Sequence, residues 1–382
     1  NDISVIVDKE VIPMNVLILS CGTGGGHNAA GAAVQKQLQK QGHQVVMINP
    51  YQLKSNRLAG VIDKVYIGLV QKNSTLFGFV YRLGELYRRL PFPSPVYYIN
   101  RKMAYILQEY LLRHPADVII TPHLYPAEII TNMKKMGMEV PPSIFVATDY
   151  ACIPFTEETD CDDVVIPSEK LIPEFRKYGI PKEKLYPLGI PTADTGVERI
   201  SPEEAKRQLG LDPAKEYLLI AGGSMGAGAL EEVVEILYRV RSLHKCKLIM
   251  VCGNNQQLYS RLQKRYADKI ELVGYTDKMP LYLKAGSIFI TKPGGLSSTE
   301  AAAARIPLIH ICPIPGCETK NMQFFKKTGM ALAVTNPKEE LTAAVLSLQK
   351  QENRKKMIQC QEKYVPGTAA AQLGQLVEEG KK

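Results

Sequence analysis

The 382-residue chain lacks several features that mark common classes of protein. It has no uncharged apolar run near the roughly 18 to 20 residues that a membrane-spanning helix requires, so none is predicted. Its first thirteen residues carry Asp2, Asp8 and Glu10 where a signal peptide would be basic, so no secretion signal is predicted. The eight cysteines include no Cys-x-x-Cys pair, which disfavours a zinc site and favours reduced thiols in a cytoplasmic protein.

What the sequence does contain is an alternation of strand and helix patterns in both halves. A chain of this length exceeds one ordinary core, and its 45% hydrophobic content is enough to bury two. The alternation predicts an α/β fold in which two parallel-sheet domains face each other across a cleft. The predicted units are residues 1–190, residues 191–367 and a C-terminal helix within residues 368–382.

The stretch from Ile288 to Asn321 contains the most informative motif. An apolar run ends at Pro293-Gly294-Gly295, and Ser297 with Glu300 forms an S-x-x-E pattern that predicts a capping box opening an Ala-rich helix. Helix N-termini carry partial positive charge, so this turn is suited to a diphosphate. A second turn, at 315–321, follows the next predicted strand and brings polar side chains to the same sheet edge, where they can bind a sugar.

Another glycine loop lies near the beginning of the chain. The apolar run Val16 to Ser20 leads into Gly22-Thr23-Gly24-Gly25-Gly26, and a helix pattern then begins at His27. The glycine spacing is not G-x-G-x-x-G, and Asn49 stands where a dinucleotide site would have an acidic residue. A nicotinamide dinucleotide is therefore not expected.

These two glycine-rich regions together resemble one known family. Lys-Pro-Gly-Gly followed by Ser/Thr-x-Glu-Ala, then Pro-Gly-x-Glu-x-x-Asn, is similar to the nucleotide-sugar half of the diacylglycerol glucosyl- and galactosyltransferases, the monogalactosyldiacylglycerol synthase family. NVLILSCGTGGGHNAAGAAV resembles their opening strand, loop and helix. The family is related to the GlcNAc transferase that completes lipid II. The resemblance implies a GT-B fold whose C-terminal helix packs back on the first domain.

The resemblance also implies a UDP-sugar donor site in the second half. Backbone N–H groups of the glycine turns would bind the diphosphate without a metal or other cofactor, Glu300 would bind the ribose, and Glu318 and Asn321 would bind the sugar. The family usually has Gln where this chain has Cys317, so the identity of the hexose stays open. The predicted donor-binding residues are Gly222, Gly223, Ser224, Gly226, Gly253, Asn254, Gly274, Tyr275, Pro293, Gly294, Gly295, Ser298, Thr299, Glu300, Gly316, Glu318 and Asn321.

Three residues are candidates for the general base that takes the proton of the acceptor hydroxyl. His27 is the first, because a helix N-terminus disfavours the imidazolium and keeps a neutral, proton-accepting ring. Asp149 follows a predicted buried strand, at the edge where parallel sheets bind ligands, and His123 follows another. An isolated histidine is more often structural, and a carboxylate at a strand end can equally cap a turn. The choice among the three stays open.

Residues 57–113 differ from the rest in charge and aromatic content. They contain nine basic and three acidic residues, interleaved with aromatic side chains in helical patterns. Such a segment is expected to contact an anionic membrane surface, although its helices can also pack on the domain with solvated charges. Nucleic acid is not an expected partner, because no recognition motif accompanies the charge. The predicted acceptor and membrane residues are Gly25, Gly26, Phe77, Phe79, Tyr81, Arg82, Arg88, Arg89 and Phe92.

Together these observations predict an inverting glycosyltransferase that moves a hexose from a UDP-sugar to diacylglycerol or glycosyl-diacylglycerol. The product would be a β-glycolipid, made by a peripheral protein on the cytoplasmic face of the cell membrane. Three alternatives stay open: UDP-GlcNAc transfer to another lipid, an isomerase similar to UDP-GlcNAc 2-epimerase, and a non-catalytic relative that binds UDP or lipid.

Overall fold

The computed structural model describes residues 12–22, 25–57, 59–61, 74–194, 196–223, 226, 229–240 and 245–380, with the backbone alone for 74–77 and 198. The described strands are β1 (Asn15–Leu19), β2 (Gln44–Ile48), β3 (Val118–Thr121), β4 (Ser143–Val146), β5 (Asp163–Val165), β6 (Leu185–Tyr186), β7 (Glu216–Ala221), β8 (Cys246–Val251), β9 (Glu271–Val273), β10 (Ile288–Thr291), β11 (Leu308–Ile311) and β12 (Leu332–Val334).

The described strands form two parallel sheets of six strands. The first has the order β2-β1-β3-β4-β5-β6 and the second the order β12-β11-β10-β7-β8-β9. The central strands are apolar and buried on both faces, as parallel sheets covered by helices require. Each sheet therefore forms the centre of one α/β unit, and the carboxyl ends of its strands meet along one edge.

The α-helices that cover the sheets are α1 (Gly25–Lys40), α2 (Pro50–Lys54), α3 (Ser74–Tyr87), α4 (Pro95–Arg113), α5 (Leu124–Lys135), α6 (Ile172–Lys177), α7 (Pro202–Gln208), α8 (Leu230–Arg239), α9 (Gln256–Tyr266), α10 (Met279–Ala285), α11 (Gly295–Ala303), α12 (Cys317–Thr328), α13 (Pro337–Gln349), α14 (Gln351–Tyr364) and α15 (Ala369–Glu379). Short 3-10 turns occupy Thr156–Glu158, Glu169–Leu171, Lys182–Lys184 and Val197–Arg199. Across the described ranges, no helix combines the length and the apolar character needed to span a membrane.

The C-terminal helix α15 packs on the first sheet, although it follows the second domain in sequence. Leu373 and Val377 belong to the same buried cluster as Val16 and Leu38. Glu378 Oε1 also accepts a hydrogen bond of 3.0 Å from Gln41 Nε2. The chain thus crosses between the domains twice, which limits how far they can separate.

The predicted capping box at Ser297 is wrong, because the N-cap of α11 is Gly294, three residues earlier, and the helix begins at Gly295. No side chain caps this terminus. Gly295 lies directly against the carbonyl of Thr148 in the other domain, so this helix start packs in an environment that the local sequence does not reveal.

One buried carboxyl group makes stability depend on pH. Burial and the nearby Glu158 charge raise the pKa of Glu128 from 4.5 to about 8. The folded protein therefore holds an extra proton between about pH 5 and 8, so the free energy of unfolding falls as pH rises. Glu128→Gln removes this titrating group. We expect the plot of unfolding free energy against pH to lose a slope of up to about 1.4 kcal/mol per pH unit. The variant should also be more stable than the wild type at pH 8. Urea unfolding between about pH 5 and 8 measures the free energy of unfolding of both proteins. Glu139→Gln, at an exposed position, is the control and should keep the wild-type slope. Equal slopes in wild type and Glu128→Gln would contradict the assignment.

Candidate active site

Three loops of the first domain meet at the carboxyl edge of its sheet. The loop after β1 leads into α1 and His27, the loop after β3 carries His123, and the loop after β4 carries Thr148 and Asp149. These strands are neighbours in the sheet, so their ends bring the three predicted catalytic residues to one place. All three line one cavity of about 250 Å³.

The ring of His27 is held in one tautomer by its contacts. Its Nδ1 lies 2.9 Å from the carbonyl oxygen of Pro122 and 2.9 Å from the hydroxyl oxygen of Thr148. A carbonyl oxygen can only accept, so Nδ1 carries the proton and donates it. Nε2 of the neutral ring therefore has a free lone pair. Burial lowers the pKa of His27, which the charge of Asp149 partly offsets, so the ring is neutral near pH 7.

His123 packs against His27, and its own Nδ1 is hydrogen-bonded to the backbone. It is the N-cap of α5, and its Nδ1 accepts from the backbone N–H of Tyr125 at 3.1 Å. The two imidazole rings contact edge to face, with centroids 4.5 Å apart. Burial lowers the pKa of His123 well below its usual value, with the nearby His27 as a smaller cause. His123 is thus a buried packing partner for His27, and its predicted catalytic role stays untested.

Asp149 is joined to the second domain by Asn321. The Asn321 side chain donates from Nδ2 to Asp149 Oδ1 at 2.8 Å and to the Pro293 carbonyl at 3.0 Å. Its Oδ1 accepts from the backbone N–H of Tyr150 at 2.7 Å. Asn321 is fully buried. It links the loop after β4 that carries Thr148 and Asp149, here called the catalytic loop, to the turn Pro293-Gly294-Gly295, here called the donor turn. Its predicted contact with the sugar remains a prediction.

The donor turn itself touches the catalytic loop through Gly295. A Cβ built on Gly295 would lie 1.9 Å from the carbonyl oxygen of Thr148. Only a glycine can therefore occupy this position while the domains are this close. The backbone of the predicted diphosphate site and the loop carrying the candidate base are in direct contact.

Glu318 is also held by groups of its own domain. Its Oε1 accepts from Lys292 Nζ at 3.0 Å, and its Oε2 accepts from the backbone N–H of Ile314 at 2.8 Å. Both Glu318 and Lys292 are buried. Each carboxylate oxygen keeps lone pairs for a further hydrogen bond, so the ion pair orients Glu318 without using up its capacity to bind a hydroxyl.

The glycine turns of the second domain lie at the ends of neighbouring strands. Gly222 and Gly223 follow β7, and Gly253 with exposed Asn254 follows β8. Gly226, with φ +56°, approaches so closely that an added Cβ would lie 2.1 Å from the Cys252 carbonyl. Three further predicted residues follow the neighbouring strands: Gly274 and the exposed Tyr275 after β9, and Gly316 after β11. Ser224 lies outside the described residues.

The first helical turns of α11 hold three other predicted donor residues. The hydroxyl of Ser298 bonds His310 Nε2 at 2.9 Å, and that of Thr299 donates to the Gly295 carbonyl at 2.8 Å. These bonds engage both side chains inside the protein. Glu300 instead lines a small cavity with Thr192, which lies in sequence between β6 of the first sheet and β7 of the second. Burial raises the pKa of Glu300 to about 7.

The cavity at His27 is mainly apolar away from the catalytic groups. Its wall includes Val80, Gly84, Val96, Leu124, Ile153, Pro154 and Phe155. Val80 on α3 is also 47% exposed. Val80 therefore contributes both to the cavity wall and to the exposed surface of α3.

The prediction that Arg88 faces a membrane is wrong. Its side chain is 2% exposed, donates to Glu157 at 2.8 Å and to the Cys152 carbonyl at 3.1 Å, and stacks on the Tyr178 ring. These partners lie in the loop after Asp149 and beyond it. Arg88 therefore anchors the end of α3 beside the cavity.

The other predicted membrane residues divide into two groups. Phe79 and Phe92 are 57% and 64% exposed, and Arg82 and Arg89 are exposed beside them. Tyr81, in contrast, faces the cavity. Gly25 and Gly26 open α1, with Gly26 near Leu296 of the second domain, and the side chain of Phe77 lies outside the described residues.

No group of three or more His, Cys, Asp or Glu side chains suited to a metal ion occurs in the described part of the chain. An Asp-x-Asp pair, Asp160 and Asp162, lies outside the cavity and forms ion pairs with Lys184 and Lys134. Whether transfer proceeds without a metal stays a prediction.

Sequence reasoning did not single out several residues that build the site. Thr148 and Pro122 fix the His27 tautomer, and both directly precede residues that were predicted. Lys292 precedes the Pro-Gly-Gly turn and orients Glu318. Their positions at strand ends are the signal that could have identified them.

Comparisons with known proteins agree with this arrangement. A family model described as monogalactosyldiacylglycerol (MGDG) synthase matches residues 27–192, and one for the glycosyltransferase family 28 C-terminal domain matches residues 217–372. The chain is 26% identical over 338 residues to the processive diacylglycerol beta-glucosyltransferase of Bacillus subtilis, covering 87% of this chain and 86% of the relative. It is 31% identical over 241 residues to the enzyme of the same name from Staphylococcus saprophyticus, covering 60% and 59%.

Solved structures with the same fold include two different activities. MurG of Acinetobacter baumannii superposes with a TM-score of 0.61 at 18% identity, covering 96% of this chain and all of that one. UDP-GlcNAc 2-epimerase from Neisseria meningitidis gives 0.62 at 12% identity, covering 96% and 100%. These likenesses confirm the predicted α/β, GT-B architecture but do not separate transferase from epimerase. The family matches do: both halves of the chain match glycosyltransferase family models, and the chain is a glycosyltransferase similar to the monogalactosyldiacylglycerol synthases and the diacylglycerol glucosyltransferases.

Proposed function

We propose that the protein transfers a hexose from a UDP-hexose to the free hydroxyl of diacylglycerol, with inversion at the anomeric carbon. The single observation that carries this proposal is the position of His27. His27 lines a largely apolar cavity with its Nδ1 engaged by Pro122 and Thr148, which leaves Nε2 as the proton acceptor, and the predicted diphosphate turn contacts the backbone of the same Thr148.

The reaction then needs one displacement. The diacylglycerol hydroxyl gives its proton to His27 Nε2 as its oxygen bonds to the anomeric carbon of the hexose. The bond between that carbon and the diphosphate oxygen breaks, and UDP leaves with the electron pair. Thr148 and the Pro122 carbonyl keep the ring oriented, and Asp149 stabilises the imidazolium that forms.

Donor binding is supported by the uncapped start of α11. Because no side chain caps Gly294, the first N–H groups of this helix are available to the diphosphate. In this proposal Glu300, which lines a small cavity with Thr192, binds the ribose hydroxyls. Glu318, which is paired with Lys292, binds the hexose.

Acceptor binding is supported by the two faces of α3. Its inner face lines the cavity at Val80 and Gly84, while its outer face and the loop after it expose apolar side chains together with arginines. A lipid held at a membrane surface can enter along this helix without crossing water. The outer patch consists of Phe79, Arg82, Leu83, Leu86, Arg89, Leu90 and Phe92.

The membrane role of this patch gives a testable prediction. Each basic residue near an anionic surface contributes about 1 kcal/mol, so Arg82→Glu with Arg89→Glu should weaken binding at least about thirtyfold. Co-sedimentation with vesicles containing anionic lipid measures this. Lys247→Glu with Lys355→Glu, exposed on the second domain, makes the same change in net charge and should bind as the wild type does. Equal losses in both double variants would contradict a localised membrane surface.

The proposed function itself is tested by product analysis. Protein is incubated with vesicles of diacylglycerol and anionic lipid and, separately, with UDP-glucose, UDP-galactose and UDP-GlcNAc. A hexosyl-diacylglycerol detected by mass is the expected product, and its absence from Glu318→Ala would support the donor assignment. Binding of UDP without a new glycolipid from any of these donors would refute the acceptor. Conversion of UDP-GlcNAc without an acceptor would favour an epimerase.

A further inference from the structure

Tyr81 on α3 carries a hydroxyl group that its surroundings do not satisfy. The hydroxyl oxygen is inaccessible to solvent, and it has no hydrogen-bond partner among the residues that the structure describes. Leaving a buried polar group unpaired is unfavourable. Tyr81 lines the cavity at His27, so a ligand bound in this cavity that displaces the neighbouring side chains can supply the missing partner.

The ring of Tyr81 is fixed at the boundary between the two domains. A Cβ built on Gly316, where φ is +116°, would lie 2.6 Å from the ring, so the phenyl face lies on the Gly316 backbone. Lys320 lies 5.6 Å from the ring centroid and pairs with Glu85, one turn along α3, at 2.6 Å. These contacts give the hydroxyl little freedom to find another partner.

The surroundings of the hydroxyl favour the hexose over the lipid. Tyr81 lines the cavity with Asp149 and Cys317, and Cys317 is followed by Glu318, the proposed hexose ligand. The thiol of Cys317 is a weak hydrogen-bonding group. Burial, with smaller effects of Cys317, Glu85 and Asp149, raises the pKa of Tyr81, so it remains a phenol that can donate.

Building on the proposed function, we propose that the Tyr81 hydroxyl donates a hydrogen bond to a hydroxyl of the transferred hexose. It is then a substrate-contacting residue supplied by the first domain to a sugar held mainly by the second. Because Tyr81 belongs to the first domain and the sugar is held mainly by the second, this hydrogen bond requires both a bound UDP-hexose and closed domains.

Tyr81→Phe tests this by removing one oxygen atom. We expect kcat/KM for the UDP-hexose to fall about tenfold, with unchanged affinity for UDP and unchanged KM for diacylglycerol. The thermal midpoint should stay the same or rise, because no protein hydrogen bond is lost. Among UDP-deoxyhexoses, the one lacking the partner hydroxyl should bind wild type and variant equally. Tyr238→Phe, on α8 of the second domain, is the matched control and should change none of these values.

Several results would overturn the inference. These are an unchanged kcat/KM, a rise in the KM for diacylglycerol alone, or a loss of UDP affinity equal to the loss of UDP-hexose affinity. Calorimetric binding of UDP and UDP-hexose needs no acceptor, so it decides the role of Tyr81 even if the wild type makes no glycolipid. A wild-type protein that binds UDP-hexose but makes no glycolipid would refute only the proposed acceptor.

Discussion

His27→Ala is expected to reduce the rate of hexose transfer by about 10²–10⁴-fold, the usual contribution of a positioned general base. The affinity for UDP should remain, because His27 lies on α1 of the first domain, whereas the glycine turns proposed to hold the diphosphate belong to the second. Initial rates with saturating donor, together with calorimetric binding of UDP, separate these two effects.

The pH profile gives an independent check on the same residue. The base acts when its ring is neutral, and burial lowers the pKa of His27, so the acid limb of kcat/KM should lie below pH 6.5. The exposed His114→Ala is the matched control and should keep both the rate and the profile. An activity of His27→Ala within threefold of wild type would assign the base role to Asp149 or His123 instead.

Gly295→Ala is expected to reduce transfer about a hundredfold without unfolding either domain. The added Cβ would lie 1.9 Å from the Thr148 carbonyl, so the donor turn and the catalytic loop must move apart. A displacement near 1 Å between reacting groups can cost about that factor in rate. Steady-state transfer rates measure the loss, and small-angle scattering measures any opening of the two domains.

The control for this substitution is Gly380→Ala at the end of α15. There an added Cβ meets its nearest neighbour at 3.7 Å, an ordinary contact, so rate and scattering should match the wild type. Thermal unfolding distinguishes separated domains from damaged ones. If Gly295→Ala transfers hexose at the wild-type rate, the close contact seen here is not needed for catalysis.

The positions of many candidate site residues in the fold could be predicted because strand ends are local features of the sequence. Asp149 and His123 each follow a short apolar run, and the topology of a parallel sheet then places both at one edge. The glycine turns could be predicted for the same reason. Each requires only a few neighbouring residues and a known backbone preference.

The errors concern residues whose environment is set by distant parts of the chain. Arg88 lies in an aromatic, basic segment, which predicts a charge on the surface. In the structure, Glu157, 69 residues away, binds its guanidinium in the interior. Ser297 has the pattern of a capping box, but the helix begins at Gly295, which packs against Thr148 of the other domain. Neither effect is present in a local pattern.

The contact between Asn321 and Asp149 shows the same limit within the site. These residues are 172 positions apart, and nothing near either one predicts that the second domain would hold the catalytic loop of the first. The resemblance to a family suggested a sugar ligand at Asn321. The structure adds that the same side chain connects the domains.

The anomeric configuration of the glycolipid formed from UDP-α-hexose tests the central claim most directly. A single displacement by a hydroxyl activated at His27 must invert the anomeric carbon, so proton NMR of the product should show the large anomeric coupling of a β-linked hexose. An α-linked product would contradict the account, because retention requires a second displacement or a covalent intermediate for which the account assigns His27 no role.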